Sequence, residues 1–393
     1  MVLQKIVTLK MGRTITHQVL GLMSGTSLDG LDLALVQIQG IERDTAQLKP
    51  LDPKKDDAVF KWSYEVVKAE TREYSDFWRA QLGSSHLLSK SKLSELDVQY
   101  GAWLANQCLD FIGSESVDLI SSHGHTVHHV PNPSIHLSEQ LKSFPPPSSG
   151  GYSIQIGNGL ELAQRTGIKV IHDFRQPDIE LGGQGAPLVP IGDLLLFNEY
   201  DACLNLGGFM NASWRHNGEQ LACDIGPMNI VLNALARKMS MPFDESGNTA
   251  RSGTLIQPLF DQWNNLPFYK KAPPKSLGRE WIDVAYMPHF DDAPPPDLLH
   301  TMVHHSAYQW AQFSRPFKKV LATGGGVYNQ YWRETAKKYG GPKLHIPDSI
   351  TIDFKEAIIF ALLGVLRNYG QINVLSSVTG ASINHSAGTI RLP

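Results

Sequence analysis

The chain has 393 residues, more than one hydrophobic core usually serves, so two lobes are expected. Apolar residues make up 42% and charged residues 19%, the balance of a folded globular protein. The net charge of −3 offers no broad basic surface, which argues against nucleic acid as a partner.

The three cysteines, Cys108, Cys203 and Cys223, are sparse and odd in number. That excludes a disulfide framework or zinc ribbon and predicts three core thiols in a reducing cytoplasm. Met1 to Lys10 is short and lysine-flanked, with no long apolar run behind it, so neither a signal peptide nor a membrane span is expected.

In chain order, Val19–Leu22 and Leu31–Ile38 read as strands flanking the turn Ser24-Gly25-Thr26-Ser27-Leu28-Asp29-Gly30. Asp44–Asp57, with Pro50 and Pro53, reads as a surface connection. Leu93, Leu96, Tyr100, Trp103, Leu104 and Phe111 have the spacing of an amphipathic helix. A short strand, Val117–Ile120, runs into Ser121-Ser122-His123-Gly124-His125. Three prolines and two glycines in Phe144–Gly151 mark a loop or lobe boundary. A helix over Gly159–Thr166 and a strand over Lys169–His172 follow, the strand ending at Asp173.

Ala202–Leu206, Gly207-Gly208 and Ala212–Trp214 then repeat the opening pattern of strand, glycine turn and strand. Asn229–Met239 reads as a helix. Pro273-Pro274 and Pro294–Pro296 flank irregular sequence. Val320–Thr323 reads as a strand feeding Gly324-Gly325-Gly326, and Phe354–Leu366 as a buried apolar helix.

Three glycine turns after strands suit an anionic ligand, because converging backbone N–H groups bind phosphate and glycine permits close approach. A P-loop, a Gly-x-Gly-x-x-Gly dinucleotide site and the protein-kinase motifs are all missing. Two glycine hairpins and a third glycine turn before a helix fit the duplicated α/β fold shared by actin, Hsp70 and sugar kinases, with a nucleotide cleft between two lobes. Lobe I is expected to span 1–130 plus 369–393 and lobe II 131–368.

Asp29, Asp32, Asp173, Asp224 and Glu356 are the carboxylates placed for chemistry: a hydroxyl or water needs a base, and phosphates need Mg2+. Residues alone leave this open, since such carboxylates also serve as caps, turn formers and ion-pair partners. His123, His125, His128 and His129 lie within seven residues, but no His-Glu-x-x-His or third-ligand motif accompanies them. Polar contact with a hydroxylated substrate is expected instead of a metal.

Together these residues resemble the anhydro-N-acetylmuramic acid kinase family over most of the chain, about Gly21 to Leu366. The resemblance rests on Gly21-Leu22-Met23-Ser24-Gly25-Thr26-Ser27-Leu28-Asp29-Gly30-Leu31-Asp32, on Ser122-His123-Gly124 with Thr126-Val127-His128-His129, and on Asp173-Phe174-Arg175 followed by Leu181 to Pro190. Asn205-Leu206-Gly207-Gly208, Asp224 with Gly226-Pro227, Pro273 to Glu280, Gly324-Gly325-Gly326 and Glu356-Ala357 follow in family order.

The resemblance implies an ATP- and Mg2+-dependent enzyme that opens the 1,6-anhydro bridge of its sugar while phosphorylating O6. It implies Asp173 as the base activating water and Glu356 as a helper near the phosphates. Ser24 to Asp32, Asn205, Gly207, Gly208, Gly324, Gly325 and Gly326 would bind ATP. His123, Gly124, His125, Arg175, Gln184 and Pro187 would bind the sugar, in the Ser122–Gly124 case through a loop, and Asp29 with Glu356 would hold Mg2+. A homodimer is implied as well.

Several residues depart from the family pattern: His125 for Gln, Asn158 for Asp, Phe209-Met210 for Ile-Ala, and Ile225 and Met228 for Thr and Gly. These bear on which sugar is bound. Levoglucosan kinases share the Asp-Phe-Arg motif, so a kinase of another anhydro sugar and a non-catalytic ATP-binding homologue stand as alternatives.

Overall fold

A computed structural model describes residues 14–25, 28–42, 60–130 and 151–393. The lysine-flanked N-terminal stretch, Thr26 and Ser27, the 44–57 connection and the proline run of 144–150 lie outside the described residues.

Long β-forming runs, each broken by glycine turns, pair first with their sequence neighbours. β1 (Thr14–Ser24), β2 (Gly30–Glu42) and β3 (Phe60–Glu73) form an antiparallel meander. β4 (Leu119–Val130) then joins the other side of β1 in parallel. Its first half pairs in parallel with β6 (Val170–His172) and its second half antiparallel with β5 (Tyr152–Ile156). β12 (Thr389–Arg391) closes the far edge against β6, giving the order β12-β6-β4-β1-β2-β3.

The second sheet repeats this plan. β7 (Ala202–Leu206), β8 (Phe209–His216) and β9 (Glu219–Pro227) form a meander, and β10 (Val320–Thr323) and β11 (Leu344–His345) add in parallel beside β7. The order β11-β10-β7-β8-β9 has the same pairings and senses as β6-β4-β1-β2-β3. The chain therefore has the expected duplicated two-lobe α/β architecture of the actin-like sugar-kinase class.

The first sheet also draws strands from beyond residue 130. β5 and β6 follow that point in sequence yet pair with β4. Parallel strands need a crossover, and the segment carrying the Gly159–Thr166 helix supplies it, so the first sheet extends to His172. Sequence reading also ends the strand before the histidines, and the resemblance expects a loop there. Instead β4 runs unbroken through His123, His125, His128 and His129.

The Ser349–Asn368 helix is apolar on nearly every face, which is the pattern of a helix buried on all sides. Its Ala357–Leu366 side chains join Val19, Ala34 and Val36 of the first sheet to Cys203 and Leu321 of the second in one core. It also carries a buried ion pair: Lys355 Nζ lies 2.9 Å from Asp193 Oδ1, while Asp193 Oδ2 accepts 2.6 Å from Ser213 Oγ. The Lys90–Ile112 helix covers the first sheet and the Pro295–Phe313 helix the second. All three cysteines are buried and unbridged.

Candidate active site

In both sheets the C-terminal ends of the parallel strands carry the polar residues, the end at which open α/β sheets collect ligands. In the first sheet those ends hold Ser24 and Asp173, with His123 where β4 leaves its parallel pairing with β6. In the second they hold Asn205 with Gly207-Gly208 and Thr323 with Gly324.

Asp173 follows β6 with φ +57°, a left-handed conformation that Asp tolerates better than most residues. It lies on the wall of a cavity of about 310 Å³ with Asp97, His123, Gly124, Gln155 and Asn158, and with His172, Gln176 and Arg391. Partial burial pushes its carboxyl above the usual carboxylate range, with Glu180 adding to the effect. The Gln176 backbone N–H and the charge of Arg391 oppose it. A carboxylate made more basic by burial suits proton abstraction.

The wall is polar and only partly satisfied. Gln155 Oε1 and His172 Nε2 are shielded from water and have no hydrogen-bond partner among the described residues. Buried polar atoms left this way are rare, and two on one cavity wall fit a ligand rich in hydroxyl or amide groups. Asp97, from the Lys90–Ile112 helix, accepts 2.8 Å hydrogen bonds from Gly157 N and from Asn158 Nδ2. Asn158 Oδ1 in turn accepts from Leu160 N and Glu161 N, capping the next helix. Asparagine serves here as both donor and acceptor, and an aspartate would face Asp97 without a donor.

Behind the wall, Arg175 donates from Nε to His123 Nε2 at 3.0 Å and from a terminal nitrogen to Gly185 O at 2.7 Å. His123 must then be neutral, with Nδ1 donating 2.8 Å to Gly124 O. Burial and the adjacent Arg175 hold it well below its ordinary pKa. Both ring nitrogens are committed to protein, so His123 orients Arg175 and offers a sugar only its ring.

Asp178 anchors the glycine run that follows. It accepts 2.7 Å bonds from Gly185 N and Thr379 Oγ1, and a Cβ on Gly183 would fall 2.2 Å from its carboxylate. Gln184 shares this run, its N–H donating 2.9 Å to Thr379 O, and Pro187 is exposed just beyond it.

Two expected contact residues turn inward. Ser24 is buried, its Oγ 2.7 Å from Tyr74 Oη, 3.1 Å from Tyr100 Oη and 3.3 Å from His125 Nδ1. His125 is 3% exposed and absent from the cavity wall. Its departure from the family pattern thus alters packing beneath the first hairpin.

The remaining expected residues gather around the Ser349–Asn368 helix. Glu356 is open to water yet surrounded by protein, as at the floor of a cleft. Desolvation raises its carboxyl. Arg175 and Lys355 pull it down, and Asp32 and Asp193 push it up. Asp32 accepts a 2.6 Å bond from Thr71 Oγ1 and is itself raised by burial, then by Asp353 and Asp29. Asp29 is exposed in the turn, so Asp32 is the hairpin carboxylate whose charge reaches Glu356. Leu28 also stands in that turn, at φ +61°, and Gly25 and Leu31 flank it.

On the second sheet Asn205 sits between two turns. A Cβ on Gly324 would lie 2.5 Å from its Oδ1, and one on Gly207 3.3 Å from its Nδ2. Gly324 has φ +82° and Gly326 packs on Leu206, whereas Gly208 and Gly325 are exposed, and a Cβ on Gly325 would meet open space. Tyr328, ending the third turn, interacts with Asp353 and so brings that turn to the helix bearing Glu356. Asp224 lies apart from the Asp173 cavity. Its Oδ2 accepts 2.7 Å from Leu277 N, and burial pushes it up to about 6.

Among the described residues, no group of three or more His, Cys, Asp and Glu side chains is gathered to hold a metal alone. Asp353 instead raises the Asp32 carboxyl, and Asp32 in turn raises that of Glu356, so the three form a line of neighbouring acids. Magnesium that arrives with phosphates needs one or two such carboxylates, so the donor set fits it.

Sequence reading missed Asp97, Gln155, His172, Gln176, Asp178 and Arg391. Only Arg391 carried a signal, a lone charge alternating with Ile390 on a short β-forming run.

Residues 17–393 match the family model described as anhydro-N-acetylmuramic acid kinase. An anhydro-N-acetylmuramic acid kinase of Acaryochloris marina is 32% identical, covering 93% of this chain and 97% of its own. One of Synechocystis sp. is 33% identical, covering 95% and 98%. Among solved structures, a ligand-bound xylulose kinase from Lactobacillus acidophilus is 11% identical and covers 96% of this chain and 94% of its own, with a TM-score of 0.40.

Proposed function

The chain belongs to the anhydro-N-acetylmuramic acid kinase family, and we propose that it converts 1,6-anhydro-N-acetylmuramic acid, water and ATP to N-acetylmuramic acid 6-phosphate and ADP. One observation carries this reading. A carboxylate at the end of a parallel strand, Asp173, faces a polar cavity and is more basic than usual.

The substrate has no free O6 hydroxyl, since O6 is the bridge. Water therefore adds at C1 and gives its proton to Asp173. The C1–O6 bond breaks, and O6 attacks the γ-phosphorus as the bond to ADP opens. Asp173 later returns its proton to solvent, so atoms and charge balance.

Gly25 to Asp32, Asn205, Gly207-Gly208 and Gly324–Gly326 would surround the nucleotide. Backbone donors there suit phosphate, as does the open space at Gly325. Glu356 and Asp32 would hold Mg2+ on the phosphates, with Asp353 beside them, and when bound the ion supplies neutralising charge. Arg175, held by His123 and Gly185 and facing Glu356, orients the floor between sugar and phosphate.

ADP release is followed with Mg-ATP plus 1,6-anhydro-N-acetylmuramic acid, levoglucosan or no sugar. Release dependent on the first sugar is expected. Sugar-independent hydrolysis would favour an ATP-gated, chaperone-like binding protein instead. Asp173→Asn should lower kcat by about 10²- to 10⁴-fold while nucleotide affinity holds. Turnover near wild type in that variant removes Asp173 as the base.

A further inference from the structure

Among the described residues lining the Asp173 cavity, Arg391 is the only lysine or arginine. Its position follows from strand register. β12 pairs antiparallel with β6, setting Arg391 opposite Val170 and Thr389 opposite His172. Residues opposite one another, and those two further along, share a sheet face. Arg391 therefore projects on the face from which His172 reaches the cavity, and both line it.

Among the described residues the guanidinium has no ion-pair partner. Its charge nevertheless reaches Asp173 and His172. The other ionised groups on the wall are acids, Asp97 and Asp173. Asp97 has both oxygens committed to Gly157 and Asn158.

A neutral sugar would be served by Gln155, Gln176, Ser153 and His172 alone. A sugar bearing a carboxylate meets repulsion from Asp97 and Asp173 everywhere except at Arg391, whose planar fork matches a carboxylate in two-point contact. The mouth of the Gly159–Thr166 helix, at Gly157 to Leu160, adds a positive dipole end on the same wall.

We propose that Arg391 binds the substrate's carboxylate and makes the enzyme select an acidic anhydro sugar over its neutral counterpart. This rests on the proposed reading that the cavity takes 1,6-anhydro-N-acetylmuramic acid, whose lactyl group carries that carboxylate. It also assigns a physical basis for excluding levoglucosan, which has no anionic group.

The test compares 1,6-anhydro-N-acetylmuramic acid with 1,6-anhydro-N-acetylglucosamine, which lacks only the lactyl group. Wild type should prefer the acid. Arg391→Gln should lose about 10- to 100-fold in kcat/KM on the acid, chiefly through KM, and less than about 3-fold on the neutral sugar. Arg391→Lys, keeping charge without the fork, should fall between. Retained turnover of the neutral sugar shows that the variants fold.

Equal losses on both sugars, no loss on either, or a wild type indifferent to the lactyl group would each overturn the assignment. If wild type turns over neither sugar, the proposed reaction fails on its own account. Calorimetric titration of both sugars into wild type and Arg391→Gln, without ATP, then decides Arg391 alone. Weakened binding of only the acid upholds it, and unchanged or equally weakened binding sinks it.

Discussion

Asp173 combines two properties in one residue: a carboxylate in the cavity and a backbone at φ +57°. Asn shares the tolerance of Asp for this conformation, whereas a residue such as Ala incurs about 1 kcal/mol there. Urea unfolding should therefore find Asp173→Asn within about 0.5 kcal/mol of wild type and Asp173→Ala lower by about 1 kcal/mol. Equal stabilities would mean that the strain lies elsewhere, and an Asn variant that unfolds would make its lost activity uninformative. The strand end at Asp173 is legible in the sequence, because β-formers stop at His172. Its basicity is not, since burial comes from the cavity wall contributed by Asp97, Gln155 and Arg391. Ser24 shows the same limit. A Ser in a glycine turn reads as a phosphate contact, but its partners Tyr74, Tyr100 and His125 stand 50, 76 and 101 residues away and leave no local pattern.

The Ser349–Asn368 helix can approach the first sheet closely because the residues at the contacts are small. A Cβ on Gly21 would lie 2.0 Å from Ala357 O, and one on Gly364 would lie 2.7 Å from Ser121 Cβ. Ser121 Oγ also donates 2.5 Å to Phe360 O, pinning the helix to β4. Gly21→Ala leaves the backbone dihedral unstrained, so its effect is steric alone. It should push the helix off β1, cost about 1–3 kcal/mol, and lower kcat by displacing Glu356 next to Ala357. Thermal melts and steady-state kinetics check this, and a fully active, equally stable variant would show that the helix position is not shared with the site. That this helix is buried is legible from its unbroken apolar run. β3 is harder to read, because this edge strand puts Lys61, Glu65, Lys68, Glu70 and Arg72 on one face and shows few apolar residues. The proline-led Pro295–Phe313 helix reads as irregular from its start, although proline is well suited to a first helical turn.

Duplication gives the molecule two sheets with equivalent strand ends, and the repeated glycine hairpins made that much visible in sequence. The interior it creates contains histidines that burial keeps neutral. His123 is held well below its usual pKa, His125 at about 4 and His305 at about 3. Each is locked by partners: Arg175 on His123, Ser24 on His125, and the hydroxyls of Tyr269 and Tyr286, both 2.9 Å from His305 Nε2. The unfolded chain protonates these rings near pH 6.5, whereas the native state refuses the proton until far lower pH. Between those values the unfolded state binds more protons, so stability is complete above about pH 6.5 and is lost as pH falls toward 4. Asp224, raised to about 6, acts oppositely, because its protonation in the native state relieves a buried charge as pH drops. Asp32, Asp173 and Glu356 are raised in the same direction as Asp224, but His129, His172 and His304, each lowered to about 4, join His123, His125 and His305, so the histidines decide the sign. Thermal melts should therefore give a Tm that is level from pH 8 to 7 and falls steadily from 6.5 to 5. His305→Phe, which removes one titrating ring while keeping an aromatic in the Tyr269–Tyr286 cluster, should flatten that slope even if its Tm at pH 8 is lower. A Tm that rises on acidification would mean that buried carboxylates, not histidines, govern the acid limb.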